Sequence, residues 1–240
     1  MTALTYALVA ALGNIVGGLA VTRGARQSLR FIEGLLAFGA GFMLAVALVE
    51  ILPEAYALMG PSSAALYVLI GYLLVHLTQH AATQHFHFGE ETHDVTAVVG
   101  VTALIGLLLH TFFDGVAIAS GFGVSTELGV LVFLAVMLHK VPEGVTIASV
   151  QVAGGLSANR AVGSAALLGL ATIIGVLVTQ YVQFLAVRGL ALAAGVTIYV
   201  AASDLVPEFQ HKAGWRLPLA FFLGAGAEFL AKWVLGAVTG

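Results

Sequence analysis

The chain has 240 residues, 60% of them hydrophobic and only 9% charged, with a mean hydropathy of +1.04. Soluble domains carry about 25% charged residues, so the composition argues for a membrane protein. A net charge of −3 gives no basis for a nucleic-acid partner, and the absence of cysteine excludes disulfides and thiolate metal sites.

Apolar runs of about 17–25 residues, the length a helix needs to cross a bilayer, predict eight helices. They fall at roughly 3–22, 31–53, 62–81, 96–121, 126–150, 161–186, 189–207 and 217–237. The runs are continuous rather than alternating, which argues against a β-barrel. The first lacks a basic leader and reads as a spanning helix, not a signal peptide. Residues 1–240 thus form a single all-α transmembrane domain. Its one long connection is a polar, histidine-rich loop at 82–95, between helices 3 and 4.

Helix 2 carries "AGFMLAVALVEILPEA" (40–55), and helix 7 carries "AGVTIYVAASDLVPEF" (194–209), offset by 154. Gly41 pairs with Gly195, Glu50 with Asp204, Pro53 with Pro207 and Glu54 with Glu208. Even- and odd-numbered helices run in opposite directions. Helices 1–3 and 6–8 therefore read as inverted repeats around a central pair, a 3+2+3 arrangement suited to alternating access. Met43 either offers a thioether or fills the core. Glu50 and Glu54 lie toward one end of the pathway, and Asp204, Glu208 and His211 toward the other. His76 and His80 lie four apart on helix 3, while His85, His87 and His93 make the loop a weak metal-binding segment.

The central pair holds the chemistry. Helix 4 contains "HTFFDGVAIASG" from His110, and helix 5 contains "HKVPEGVTIAS" from His139. Residues four apart share a helix face, so His110 projects with Asp114, and His139 with Glu143. Two imidazoles and two carboxylates near the bilayer midplane suit Zn²⁺ and related dications. Pro142 leaves the Leu138 carbonyl without its helical partner beside this set. Glu228 and Lys232 on helix 8 read as an intrahelical ion pair.

Loop charges set the orientation. Arg23, Arg26, Arg30, Arg160, Lys212 and Arg216 fall on one side, against Arg188 and Lys232 on the other. The positive-inside rule places both termini outside and the histidine loop in the cytoplasm, with the chain in the cell membrane.

The motifs His110-x-x-x-Asp114-Gly115 and His139-x-x-Pro142-Glu143-Gly144 resemble the helix 4 and helix 5 signatures of the ZIP family of divalent-metal transporters, in its prokaryotic form. "GFMLAVALVEILPEA" and "LVPEF" resemble its second and seventh helices. The resemblance implies transport of Zn²⁺, or of Fe²⁺, Mn²⁺ or Cd²⁺, into the cytoplasm through His110, Asp114, His139 and Glu143. It implies no cofactor beyond the carried metal, and homodimers are common in the family. Members often build a second metal site from the residue after each motif histidine. Here those residues are Thr111 and Lys140, and an ammonium has no lone pair to give. Lys140 instead offers a charge to balance Asp114 and Glu143, or it snorkels away from them. Two rival readings are an intramembrane metallohydrolase, which lacks a His-Glu-x-x-His motif, and a metal sensor or store without flux.

The loop histidines lie outside the intramembrane set. Replacing His85, His87 and His93 together is expected to leave metal bound within the membrane. Elemental analysis of the folded triple variant checks this, and a metal-free variant refutes it.

Overall fold

A computed structural model describes residues 2–23, 29–82 and 97–239. Among the described residues there is no strand. Eight helices among them are long and apolar enough to cross a membrane. The first is α1 (Ala3–Thr22). The second, α2, runs as Leu29–Ala45, a π-helical turn Val46–Ile51, and Leu52–Met59. Then come α3 (Pro61–Ala82), α4 (Ala97–Val124), α5 (Thr126–Ala153) and α6 (Ala158–Tyr181). The seventh, α7, runs as Gln183–Tyr199, a π turn Val200–Leu205, and Pro207–Gln210, and α8 is Arg216–Thr239. The loop histidines His85, His87 and His93, and the side chains of His80 and Glu208, lie outside the described residues.

Two boundaries differ from the sequence reading. Helix 2 continues past 53 to Met59, where Gly60 (φ 80°) ends it and Pro61 starts the next helix. A proline in a first turn costs little, because its missing N–H would have no partner there. This is also why Pro53 and Pro207 sit comfortably after the π turns. The second difference is the break between α6 and α7. It falls at Val182, an extended residue (φ −101°, ψ 98°) inside a stretch with neither glycine nor proline, so no local signal marks it.

Four helix pairs meet backbone to backbone, each through reciprocal glycines. Gly144 lies against the Asn14 carbonyl and Gly17 against that of Val141, joining α1 to α5. Gly115 meets the Thr172 carbonyl and Gly175 that of Phe112, joining α4 to α6. Gly41 and Gly224 do the same for α2 and α8 against Phe221 and Phe38; Gly71 and Gly195 do it for α3 and α7 against Leu192 and Val68. Members of a pair run in the same direction: Glu33 meets Arg216 at one end of α2 and α8, and Glu50 meets Lys232 toward the other. Small residues at these crossings let backbones approach where lipid gives no hydrophobic drive. The α1–α5 and α4–α6 pairs pack together around the buried polar residues. Large apolar side chains such as Leu66, Leu73, Phe222, Leu230 and Trp233 stay exposed on α3 and α8, where acyl chains would cover them.

The π turns fall at matched places. Adding 154 to each bound of Val46–Ile51 gives Val200–Leu205. The first contains Glu50 and the second Asp204.

A Cβ at Gly144 would strike the Asn14 carbonyl, whereas at Gly163 it meets nothing within 4 Å. Gly144→Ala is therefore expected to cost about 1–3 kcal/mol. Gly163→Ala is expected to be neutral or stabilising by up to about 1 kcal/mol. Thermal unfolding in detergent compares the two, and equal effects would remove the packing argument.

Candidate metal centre

The 3.6-residue period carries His110 and Asp114 to one face of α4, and His139 and Glu143 to one face of α5. The two helices are antiparallel, joined by a tight turn at Ser125. The Ser125 hydroxyl caps α5 by accepting from the Leu128 N–H at 3.0 Å. Close packing of Gly121 on Gly129 keeps the pair together. All four side chains are buried, with 4–5% of each residue exposed.

Nε2 of His110 and Nε2 of His139 each lie 3.4 Å from Oδ2 of Asp114. Glu143 completes the set less closely, with Oε1 4.0 Å from Nε2 of His110. The two ring centroids lie 5.3 Å apart, with the planes tilted by 37°. Ligand atoms from His110, Asp114 and His139 fall within 4.8 Å of one another, close enough to share an ion. Nδ1 of His139 lies 3.0 Å from the Ala135 carbonyl. A carbonyl only accepts, so Nδ1 carries the proton. In the neutral ring the Nε2 lone pair then faces a carboxylate oxygen, an arrangement that a cation between them makes favourable. A backbone carbonyl holding the far nitrogen is also what orients a metal-binding histidine.

Lys140 is fully buried. Its Nζ donates to Oδ2 of Asp114 at 2.6 Å and to Oε2 of Glu143 at 2.8 Å. It does not snorkel. Thr111 is buried too, but its hydroxyl donates to the Leu108 carbonyl of its own helix at 3.1 Å.

Asn14 joins the site, and sequence reasoning missed it. Its Nδ2 donates to Oε2 of Glu143 at 2.9 Å and to the Lys140 carbonyl at 3.3 Å. The signal was a lone amide in the apolar "ALGNIVGG", since a polar residue inside a spanning helix points to a site by default. Gly13 and Gly17 on either side let α1 approach α5.

The remaining candidates are scattered. Met43 is 1% exposed and packs in the main apolar core. Glu54 lines a cavity of about 320 Å³ with Leu58, Ser120, Gly123, Val124, Ala186 and Leu190, where α2 and α4 end and α7 begins. His76 is exposed, with its ring 5.7 Å from that of Tyr199. Asp204 is half-buried in the second π turn, and His211 is exposed just beyond α7. The Glu228–Lys232 pair is corrected. Lys232 donates to Oε1 of Glu50 at 2.7 Å. Glu228 is fully buried while the Lys232 side chain stays 48% exposed, so the ammonium meets α2 at the bundle edge.

Among the described residues, eight helices fit to cross a membrane, with a His, Asp and Glu set buried between two of them, define a membrane protein with a candidate metal site. The sequence profile of the ZIP zinc transporters matches residues 89–230, and the chain belongs to that family. The family consists of transporters, not enzymes. Over 138 residues the chain is 30% identical to zinc transporter ZIP6 of Homo sapiens and, equally, to that of Pongo abelii. The matched stretch is 55% of this chain and 18% of each relative, so the chain spans less than a fifth of the relatives it matches. It is a multi-pass membrane protein.

Asn14→Leu removes both amide donations at similar volume. It is expected to cost about 1–3 kcal/mol, and Thr111→Val less, because that hydroxyl serves only its own helix. Unfolding midpoints in detergent rank the two, and the reverse order would remove Asn14 from the site.

Proposed function

We propose that the protein carries divalent cations across the membrane toward the cytoplasm, Zn²⁺ foremost, with Fe²⁺, Mn²⁺ and Cd²⁺ also suited to the donor set. The midplane site is His110, Asp114, His139 and Glu143. The observation that carries the reading is the convergence of both histidines on Oδ2 of Asp114, 3.4 Å from each, within an apolar bundle. Lys140 already meets this carboxylate, so the pointer to a metal is the pair of imidazole nitrogens turned on the same oxygen. The first-row dications that accept mixed N and O ligands fit this set.

The whole chain acts as one transport domain in this reading. The matched π turns and the reciprocal glycine contacts support the 3+2+3 inverted repeat, whose symmetry would let two halves exchange inward-open and outward-open shapes. The cavity beside Glu54 suits an entrance from the side of the termini, with Glu50 near it. Asp204, Glu208 and His211 suit the exit, and the loop histidines a cytoplasmic acceptor. The cell membrane, with both termini outside, follows from the loop arginines and lysines. A homodimer completes the reading, to be measured by light scattering in detergent.

Proteoliposomes loaded with buffer and given ⁶⁵Zn²⁺ test the function. The wild type is expected to accumulate zinc, and Asp114→Ala or Glu143→Ala to lower uptake by about tenfold or more. Wild-type uptake by both variants refutes the site. Zinc binding without uptake by the wild type assigns the protein to sensing or storage.

A further inference from the structure

Asp114 Oδ2 serves three neighbours at once. It lies 3.4 Å from Nε2 of His110, 3.4 Å from Nε2 of His139 and 2.6 Å from Nζ of Lys140. This is the Asp114 oxygen that both imidazoles face, so a dication held between the two rings meets it. The ammonium cannot join the coordination shell, because it has donors only, and at such range in a low dielectric it repels a metal strongly. Metal and lysine therefore compete for one atom.

The structure also provides a place for the lysine to go. Nδ2 of Asn14 faces two acceptors, Glu143 Oε2 and the Lys140 carbonyl. That pattern fixes which end of the amide is which. The amide oxygen, Oδ1, is left buried with no hydrogen-bond partner, an unfavourable state for a buried acceptor. Nδ2 of Asn14 and Nζ of Lys140 meet at the same Glu143 oxygen. Oδ1 thus belongs to the same buried cluster as the ammonium. Gly13 makes room for the lysine chain: a Cβ there would sit 2.9 Å from Cβ of Lys140.

We propose that Lys140 is a tethered cation that stands in for the cargo. Between loads its ammonium bridges Asp114 and Glu143. An arriving dication displaces it from Asp114, and it passes to Oδ1 of Asn14 while keeping its proton and its contact with Glu143. This rests on the transport reading above. With neutral imidazoles, two carboxylates and one ammonium leave one net negative charge in the empty site and one net positive charge in the loaded one. Without the lysine the charges would be two negative and none. Lys140 therefore lowers the free energy of the empty site and raises that of the loaded one. It favours release and eases the return of the empty carrier. Asn14 acts as a positioning residue for this exchange.

The test uses the full chain in detergent and in proteoliposomes. K140M keeps an unbranched side chain and removes the charge. Zinc affinity, by competition with a chromophoric chelator, is expected to rise by about tenfold or more, and efflux of preloaded ⁶⁵Zn²⁺ to slow. In a structure of the zinc-loaded wild type, Nζ of Lys140 is expected off Asp114 and within hydrogen-bonding distance of Oδ1 of Asn14. Unchanged or weaker zinc binding by folded K140M overturns the inference. So does Lys140 still on Asp114 Oδ2 with zinc bound. If K140M does not fold, K140Q replaces it and the loaded wild-type structure decides. A wild type that neither binds nor carries zinc refutes the transport reading itself, an outcome distinct from these.

Discussion

Two carboxylates sit in the middle of a helical bundle whose surroundings cannot solvate them. An unpaired ion there costs several kcal/mol, more than one or two side-chain contacts return. Asp114 and Glu143 are tolerable because the Lys140 ammonium donates to both and the Asn14 amide donates to Glu143. Everything around the cluster follows from keeping those partners in contact. The Ser125 turn holds α4 against α5, the Ala135 carbonyl aims His139, and Asn14 occupies the Glu143 oxygen that Lys140 also uses.

Such contacts tolerate little looseness, and the helices have no hydrophobic drive toward one another in lipid. The glycine crossings supply the fit. Gly144 follows Glu143 directly, and Gly115 follows Asp114 directly. Each carboxylate therefore stands next to the point where its helix touches a neighbour's backbone, α1 for one and α6 for the other. The residue that carries the charge and the residue that fixes its helix are chain neighbours. A shift in helix packing would move the carboxylate with it.

Much of this was legible in the sequence. Spacing of four on each of two helices put His110 with Asp114 and His139 with Glu143. The 154-residue offset also relates the two π turns, although a π turn adds one residue without disturbing an apolar run and so leaves no mark of its own. What escaped was tertiary. Asn14 reaches Glu143 only because Gly13 and Gly17 bring α1 onto α5, helices more than a hundred residues apart in the chain. Lys140 left two options open, since one position beyond the ligand face can turn inward or outward. Only the α1–α5 approach decides between them. Lys232 was misread because i,i+4 geometry on one helix cannot reveal that Glu50 comes across from another. The α6–α7 break at Val182 lacks the glycine or proline that usually marks one.

The backbone crossings have a mechanical consequence. Asn14, His110, Asp114, His139, Lys140 and Glu143 belong to α1, α4 and α5, which pack with α6 through carbonyl-to-glycine contacts. Where α2 and α7 meet this group the contacts are mainly apolar, with Met43, Val46 and Leu190 from those two helices in one core with Ile118 of α4 and Val136 of α5. Side chains can slide and change rotamer, whereas a carbonyl seated on a glycine cannot shift without opening the joint. The molecule is therefore stiff around the buried polar cluster and lubricated along its flank. Any change of shape that follows the softer seam carries the histidines, the carboxylates, the lysine and the amide as a single block.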